Sequence, residues 1–313
     1  MKFFQIFFSC VFLIGLINNQ KINGQIRAAQ LNIMGTIQDG GSPHIGCEKK
    51  CCKFISEKDR NKRFVSSLSL VDLESDNYFL FEATPDIEKQ LRILNNNYNK
   101  QLTLYGIFLT HAHIGHYSGL MYLGKEALGA NKVPVFAMPK MSHFLRNNGP
   151  WSQLVDDQNI VINQMSENKK IILINKYVSV SPIRVPHRDE YSETVGYFIN
   201  GRYRKALFLP DIDKWNKWDR SLIDVLKNVD YAFIDATFYD EKEINNRDIS
   251  EIPHPFVIET MSMLKDLSIS ERKKVYFIHM NHTNPLLDSS SEEYKTVINF
   301  GFNVAEIGMI FYL

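Results

Sequence analysis

The segment Thr110-His111-Ala112-His113-Ile114-Gly115-His116 constrains this chain more than any other. It directly follows the apolar run Tyr105–Leu109, and its histidines have the spacing H-x-H-x-x-H. Neutral imidazole is the commonest metal ligand, and a strand that ends in a tight loop can hold several imidazoles rigidly. The chain has only 9 histidines, so this clustering predicts a metal site at the end of a buried strand.

Later apolar runs deliver further side chains that can bind a metal. His187, Asp211 and His279 each follow a short strand-like run within two residues. Separate strand ends can converge at one edge of a sheet, which gives a rigid scaffold for a metal site. We therefore expect these three residues to join the histidines of the motif.

Short strand-like runs alternate with helical stretches, and the sequence contains no internal repeat. Two blocks of strands with helices between and after them predict two sheets that pack face to face and are covered by helices. Asn200-Gly201 predicts a two-residue hairpin turn. Helices are predicted at Tyr117–Leu128, Leu222–Lys227 and Pro255–Leu267. Strands are predicted at Ala28–Ile37, Tyr78–Phe81, Gly106–Leu109, Val133–Met138, Ile171–Ile174, Val178–Val185, Val195–Ile199, Ala206–Leu209, Tyr231–Ile234 and Val275–Ile278.

Residues 1–24 have the pattern of a signal peptide, with Lys2 followed by the mostly apolar run Phe3–Ile17. This run is shorter than the roughly 20 residues that a bilayer span needs. We therefore expect a cleaved signal and a mature domain at 25–313. The mature protein would be exported, periplasmic or secreted, with no stable membrane insertion after cleavage.

The charge of the chain is balanced, with 36 basic and 35 acidic residues. No basic stripe dominates the sequence, so a nucleic-acid partner is disfavoured. A small-molecule substrate is the expected partner, and the sequence gives no oligomeric state.

Cys47, Cys51 and Cys52 form a cluster that allows two interpretations. One is a structural metal site, with His44 as a candidate fourth ligand. The other is one disulfide and a free thiol, which an exported protein allows.

In this order, the candidate ligands resemble the pattern of the metallo-β-lactamase superfamily. The resemblance covers most of the mature chain and implies an α/β fold, a four-layer αβ/βα sandwich. It also implies one or two divalent metal ions at the sheet edge, with zinc favoured and iron as the alternative. It places His111, His113 and His187 on the first metal, and His116, Asp211 and His279 around the second, with Asp211 bridging.

Gly115 departs from this pattern, because the superfamily usually has an aspartate there as a ligand of the second metal. Either the second site is weakened, or another residue fills it, and His282 is the nearest candidate in sequence. On this interpretation, Gly115→Asp is expected to raise the occupancy of a second metal.

Within the superfamily, the chain is most similar to the pyrroloquinoline quinone biosynthesis protein B family. Three segments carry the similarity: the glycine-rich run Met34–Pro43 with the following cysteines, the loop Ile252–Pro255, and the motif Ile278–Pro285. The resemblance implies the fold and the location of the site.

These observations favour a metal-dependent hydrolase that uses a metal-activated water on a small ester, amide or phosphodiester. Asp211, His254 and His282 are the candidate catalytic residues. One alternative is a metal-dependent oxygenase or hydroxylase in pyrroloquinoline quinone-type cofactor biosynthesis. A further alternative is a metal-dependent binding protein without catalysis.

Overall fold

The computed structural model describes residues 29–98, 100–173, 176–188, 190–244 and 252–313. The predicted signal peptide at 1–24 lies outside these residues. The described strands are β1 Gln30–Gly35, β2 Ser67–Asp72, β3 Asn77–Phe81, β4 Thr103–Phe108, β5 Val133–Ala137, β6 Ile160–Gln164, β7 Ile171–Ile172, β8 Ser179–Arg184, β9 Val195–Asn200, β10 Lys205–Leu209, β11 Tyr231–Asp235, β12 Val275–Ile278, β13 Asn303–Val304 and β14 Ile310–Tyr312.

The described α-helices are α1 Lys50–Lys53, α2 Glu57–Arg60, α3 Ile87–Tyr98, α4 Ile114–Tyr117, α5 Pro139–Asn147, α6 Trp151–Asp156, α7 Leu222–Leu226, α8 Val257–Leu264, α9 Ile269–Arg272 and α10 Glu292–Asn299. Short 3₁₀ segments occur at Ser118–Leu123, Trp215–Lys217, Glu241–Ile244 and Pro285–Leu287. Within the described chain, no helix is long and apolar enough to cross a bilayer.

The strands form two seven-stranded sheets that enclose a shared core. Their orders are β14-β1-β2-β3-β4-β5-β6 and β13-β12-β11-β10-β9-β8-β7. Between them lies an aromatic layer in which Phe81, Phe108 and Tyr197 are fully buried. A second core packs α3, α5 and α6 on the first sheet, and a third packs α7, α8 and α10 on the second. This confirms the predicted four-layer sandwich, because apolar faces on both sides of each sheet need cover.

The sheet topology brings many strand ends to one edge. β1, β3 and β4 run in the same direction, because β2 pairs antiparallel with both β1 and β3 while β4 is parallel to β3. In the second sheet, β8, β10, β11 and β12 run in one direction by the same reasoning. The residues that follow these seven strand ends include Asp39, Glu82, the 110–116 motif, His187, Asp211 and His279.

Two local predictions differ from the structure. β9 and β10 pair as an antiparallel hairpin, but Asn200 pairs with Lys205, so the loop is longer than two residues. In place of the predicted helix Tyr117–Leu128, α4 ends at Tyr117 and the 3₁₀ segment Ser118–Leu123 follows it. Gly124 is extended, and this ends the helical path before Leu128, where the predicted helix ends.

Candidate metal centre

Three histidines and one carboxylate converge as the sequence predicts. His111 Nε2 lies 3.3 Å from Asp211 Oδ2, and His187 Nε2 lies 3.2 Å from Asp211 Oδ1. His113 Nδ1 lies 3.3 Å from His187 Nε2. Around a tetrahedral zinc with bonds of about 2.0–2.1 Å, ligand nitrogens are roughly 3.3 Å apart. The spacing of these side chains therefore fits a single ion.

A second group lies on the other side of Asp211. Asp211 Oδ2 is 3.8 Å from His116 Nε2 and 4.0 Å from His279 Nε2. Asp39 joins these two histidines, and one ligand atom from each of the three lies within 4.8 Å of the others. Asp211 thus stands between the two groups, in the bridging place that the resemblance implies.

Several of these ligand atoms are buried and have no hydrogen-bond partner. This holds for Nε2 of His111, His116 and His279 and for Oδ1 of Asp211. Burying an unpaired polar atom costs free energy. Several such atoms at one point indicate that a cation completes the site. The residues present therefore fit a divalent metal.

The electrostatics of Asp211 and His111 favour the metal-binding protonation states. Burial alone would raise the pKa of Asp211, but His187, His254 and His279 hold it well below its usual value. Burial and the neighbouring His116 lower the pKa of His111 well below its usual value. An ionised carboxylate and a neutral imidazole are the forms that bind metals. Burial alone would lower the pKa of His116, but Glu82 raises it to about 9, so a metal must displace a proton from this ring.

Asp235 and Thr237, at the end of β11, orient the histidines on this side. The Thr237 hydroxyl donates to Asp235 Oδ1 at 2.7 Å and lies 3.0 Å from His279 Nδ1. Because its proton is given to Asp235, the hydroxyl accepts from His279 Nδ1–H, which leaves the lone pair of His279 Nε2 free for a metal. Asp235 also accepts from the Ile212 amide, so it serves both the loop and the site.

Strained backbone accompanies two of these side chains. His279 and Glu82 have φ angles of 66° and 79°, in the left-handed region that non-glycine residues rarely adopt. Glu82 Oε1 lies 3.6 Å from His116 Nδ1, and both side chains are fully buried. Such strain clusters at functional sites, where it fixes side chains in one orientation.

The histidine that lies beside the cysteine cluster is His282, not His44 as the sequence suggested. Cys47, Cys51 and Cys52 are free thiols, and their sulfur atoms lie with a ring nitrogen of His282 within 4.8 Å. His44 instead stacks on His282, with ring centroids 4.6 Å apart. The structure thus favours the metal interpretation over a disulfide, with His282 rather than His44 as the fourth ligand.

This placement overturns the expectation that His282 fills the second half of the His–Asp centre. The chain turns between His279 and His282, so the two rings serve different clusters. Burial, with His44 and Lys49 nearby, lowers the pKa of His282 to about 4, so its ring is neutral and able to bind a metal.

Asp39 is the site residue that sequence reasoning missed. An ideal Cβ on Gly115 would lie 1.9 Å from Asp39 Cβ. This overlap argues against the expectation for Gly115→Asp, because Asp39 occupies the space for a side chain at 115. The signal in the sequence was a glycine where the motif needs a ligand, together with an aspartate in the Gln38–Gly41 turn after β1.

A cavity of about 490 Å³ opens beside the centre. His254 connects the two, since it lines the cavity and its Nδ1 lies 3.2 Å from Asp211 Oδ1 and 2.8 Å from Asp235 Oδ2. Lys49 and Arg188 bring positive charge to the wall, and burial raises the pKa of the lining residue Glu243 to about 7. A cavity of this size fits a small molecule.

Comparison with known proteins places this geometry in a family context. A model of the beta-lactamase superfamily domain matches residues 77–280. Coenzyme PQQ synthesis protein B of Methylococcus capsulatus is 24% identical over 307 residues, covering 89% of this chain and 98% of that protein.

Solved structures support the same fold. Zn²⁺-bound PqqB from Methylobacterium extorquens superposes with a TM-score of 0.73 at 20% identity, covering 91% of this chain and 100% of that one. A diphosphatase from the PhnP family gives a TM-score of 0.63 at 21% identity, covering 90% of this chain and 96% of that one.

Proposed function

Since the chain belongs to the β-lactamase superfamily, we propose that it is a metal-dependent hydrolase of a small ester, amide or phosphodiester. The observation that carries this proposal is the position of Asp211, between two groups of unpartnered histidine nitrogens and next to a cavity. A bound divalent metal lowers the pKa of its water toward neutrality and polarises an acyl or phosphoryl oxygen. Zinc is the metal favoured for this chemistry.

His254 is the proposed proton donor to the leaving group. Burial alone would lower its pKa, but Asp235 and Asp211 raise it to about 9, so in the metal-free protein the ring carries a proton at neutral pH. Asp235 fixes the ring through Nδ1, and the side chain lines the cavity in which a substrate would sit. General acid catalysis by a positioned histidine contributes about 10²–10⁴-fold to a rate.

The thiol cluster is the proposed site of a structural zinc. A Cys₃His set is one of the usual tetrahedral zinc sets, and it leaves no open coordination position for chemistry. Burial raises the pKa of Cys52 to about 12, so this thiol stays protonated at neutral pH unless a cation binds.

We also propose that the mature chain is exported. This proposal rests on the signal-like pattern of residues 1–24 alone.

A second candidate function is oxygenation in pyrroloquinoline quinone-type cofactor biosynthesis. The observation that favours it is the similarity to coenzyme PQQ synthesis protein B over 89% of this chain.

The identity of the bound metal separates the two candidate functions. Elemental analysis of protein purified anaerobically without added metal would give zinc for the hydrolase and iron for the oxygenase. Full occupancy with ligand binding but no turnover would indicate a non-catalytic binder.

His113→Ala tests the ligand assignment and the proposed function together. The variant is expected to lose the metal of the first group and to lower kcat/KM by about a hundredfold or more, since weaker perturbations around metal ligands already cost 10–100-fold. Elemental analysis and assays on ester, amide and phosphodiester panels provide the measurements. His143, an exposed histidine on α5, gives the control His143→Ala. Full metal content in His113→Ala would contradict the assignment.

Lys49→Ala tests the charge of the substrate. If the substrate is anionic, losing one charge-assisted hydrogen bond is expected to raise KM about tenfold with little change in kcat. The matched control is Lys50→Ala, an exposed neighbour that is not among the described residues lining this cavity. Equal KM values for the two variants would argue against an anionic substrate.

A further inference from the structure

The second half of the His–Asp centre lacks the ligand that the superfamily motif usually supplies. Gly115 stands at that position and has no side chain. His116 Nε2 and His279 Nε2 are nevertheless both buried and unpartnered, as they would be around an ion. A carboxylate from elsewhere in the chain would complete this set.

Asp39 occupies the space of the missing aspartate. A Cβ built on Gly115 would lie 1.9 Å from Asp39 Cβ and 2.4 Å from Asp39 Cα. No side chain fits at 115 while the Asp39 loop is in place, so this position of Asp39 requires a glycine at 115. The carboxylate lies with a nitrogen of His116 and one of His279, all within 4.8 Å of one another.

We propose that Asp39 is the carboxylate ligand of the second metal, moved from the histidine motif to the loop after β1. The inference rests on the proposed metal centre and names a ligand of that centre that the superfamily motif does not contain. The ligand types support the proposal, because a carboxylate with two imidazoles is a set that suits zinc or iron.

The backbone around Asp39 is held firmly to the loop of His279. The Gln38 amide donates to the Met280 carbonyl at 2.9 Å, and the Met280 amide donates to the Thr36 carbonyl at 2.8 Å. Ile37 also bridges to Met280. The Gln38 side chain donates to the Asp39 carboxylate, and this fixes its orientation. A ligand held by such contacts is positioned before a metal arrives.

Asp39→Asn is the first test, since it keeps the shape of the side chain and removes its charge. The expected result is a loss of one metal ion per chain and a second-metal affinity about a hundredfold weaker in titration against a competing chelator. Asp219→Asn, an exposed aspartate, is the control and should match wild type. Gly115→Asp is expected to lower second-metal affinity as well, because its Cβ would displace Asp39.

Asp39→Cys distinguishes a ligand from a purely structural residue. Loaded with cobalt, this variant should gain thiolate-to-cobalt charge-transfer absorption beyond that of cobalt-loaded wild type, because only a bound sulfur gives the band. Unchanged affinity in folded Asp39→Asn, or no added absorption in Asp39→Cys, would overturn the assignment. A wild-type protein that binds the second metal but turns over no substrate would count against the hydrolase proposal alone.

Discussion

Asp211→Asn is expected to remove metal from both halves of the centre and to lower kcat/KM by at least about a thousandfold, or about 4 kcal/mol. The reason is geometric: one carboxylate lies 3.3 Å from His111 Nε2 and 3.2 Å from His187 Nε2, and it also faces the second group. An amide keeps the shape but loses the charge that offsets a divalent ion. Elemental analysis and steady-state kinetics on the same preparation measure both losses.

Asp213→Asn is the matched control for this change. Asp213 lies two residues further along, but it is paired with Lys217 at 2.7 Å and does not face the histidines. It should retain metal and activity. If Asp211→Asn kept its full metal content, the bridging role would be refuted, and the histidine groups would have to bind their ions independently.

Cys52→Ser is expected to release the metal of the thiol cluster and to lower the free energy of unfolding by about 4 kcal/mol, the linkage at a thousandfold excess of metal over Kd. For a domain of this size the melting temperature would fall by about 7 °C. Cys52 is 2% exposed, and its sulfur accepts from the His44 amide at 3.3 Å. Thermal unfolding with zinc present gives the measurement.

The control for this prediction is the same pair of proteins in excess chelator. Without metal, wild type and Cys52→Ser should unfold at similar temperatures, because the difference comes from binding to the folded state. A difference that persists in chelator would assign the loss to packing around Cys52 rather than to a metal.

Most of the His–Asp centre could be predicted because of how its residues lie in the sequence. His111, His187 and His279 each follow a short apolar run, and parallel strands bring such positions to one edge. Asp39 could not be predicted in this way. It lies in the Gln38–Gly41 turn, where the turn itself accounts for the glycines. Only the short distance between Asp39 and the side-chain position of Gly115 in three dimensions reveals its role.

His282 was misplaced for a related reason. Proximity in sequence to His279 suggested proximity in the site, but a left-handed residue at 279 redirects the chain, and the two rings part. The helices α3 and α5 were also missed, although apolar residues at helical spacing were present in both, such as Met141, Phe144 and Leu145 in α5. The two sheets and their helical cover were predictable, since they follow from the blocks of strands and helices, whereas the strand order was not predicted.

The two clusters are closed by the same two segments of chain. The segment after β1 carries Asp39 and the three cysteines, and the segment after β12 carries His279 and His282. Hydrogen bonds between the Gln38 amide and the Met280 carbonyl, and between the Met280 amide and the Thr36 carbonyl, join the two segments, so a shift of one segment at either cluster is transmitted to the other. Such coupling is reciprocal by thermodynamic necessity. Binding or release of a metal at the thiol cluster is therefore expected to change metal affinity at the His–Asp centre.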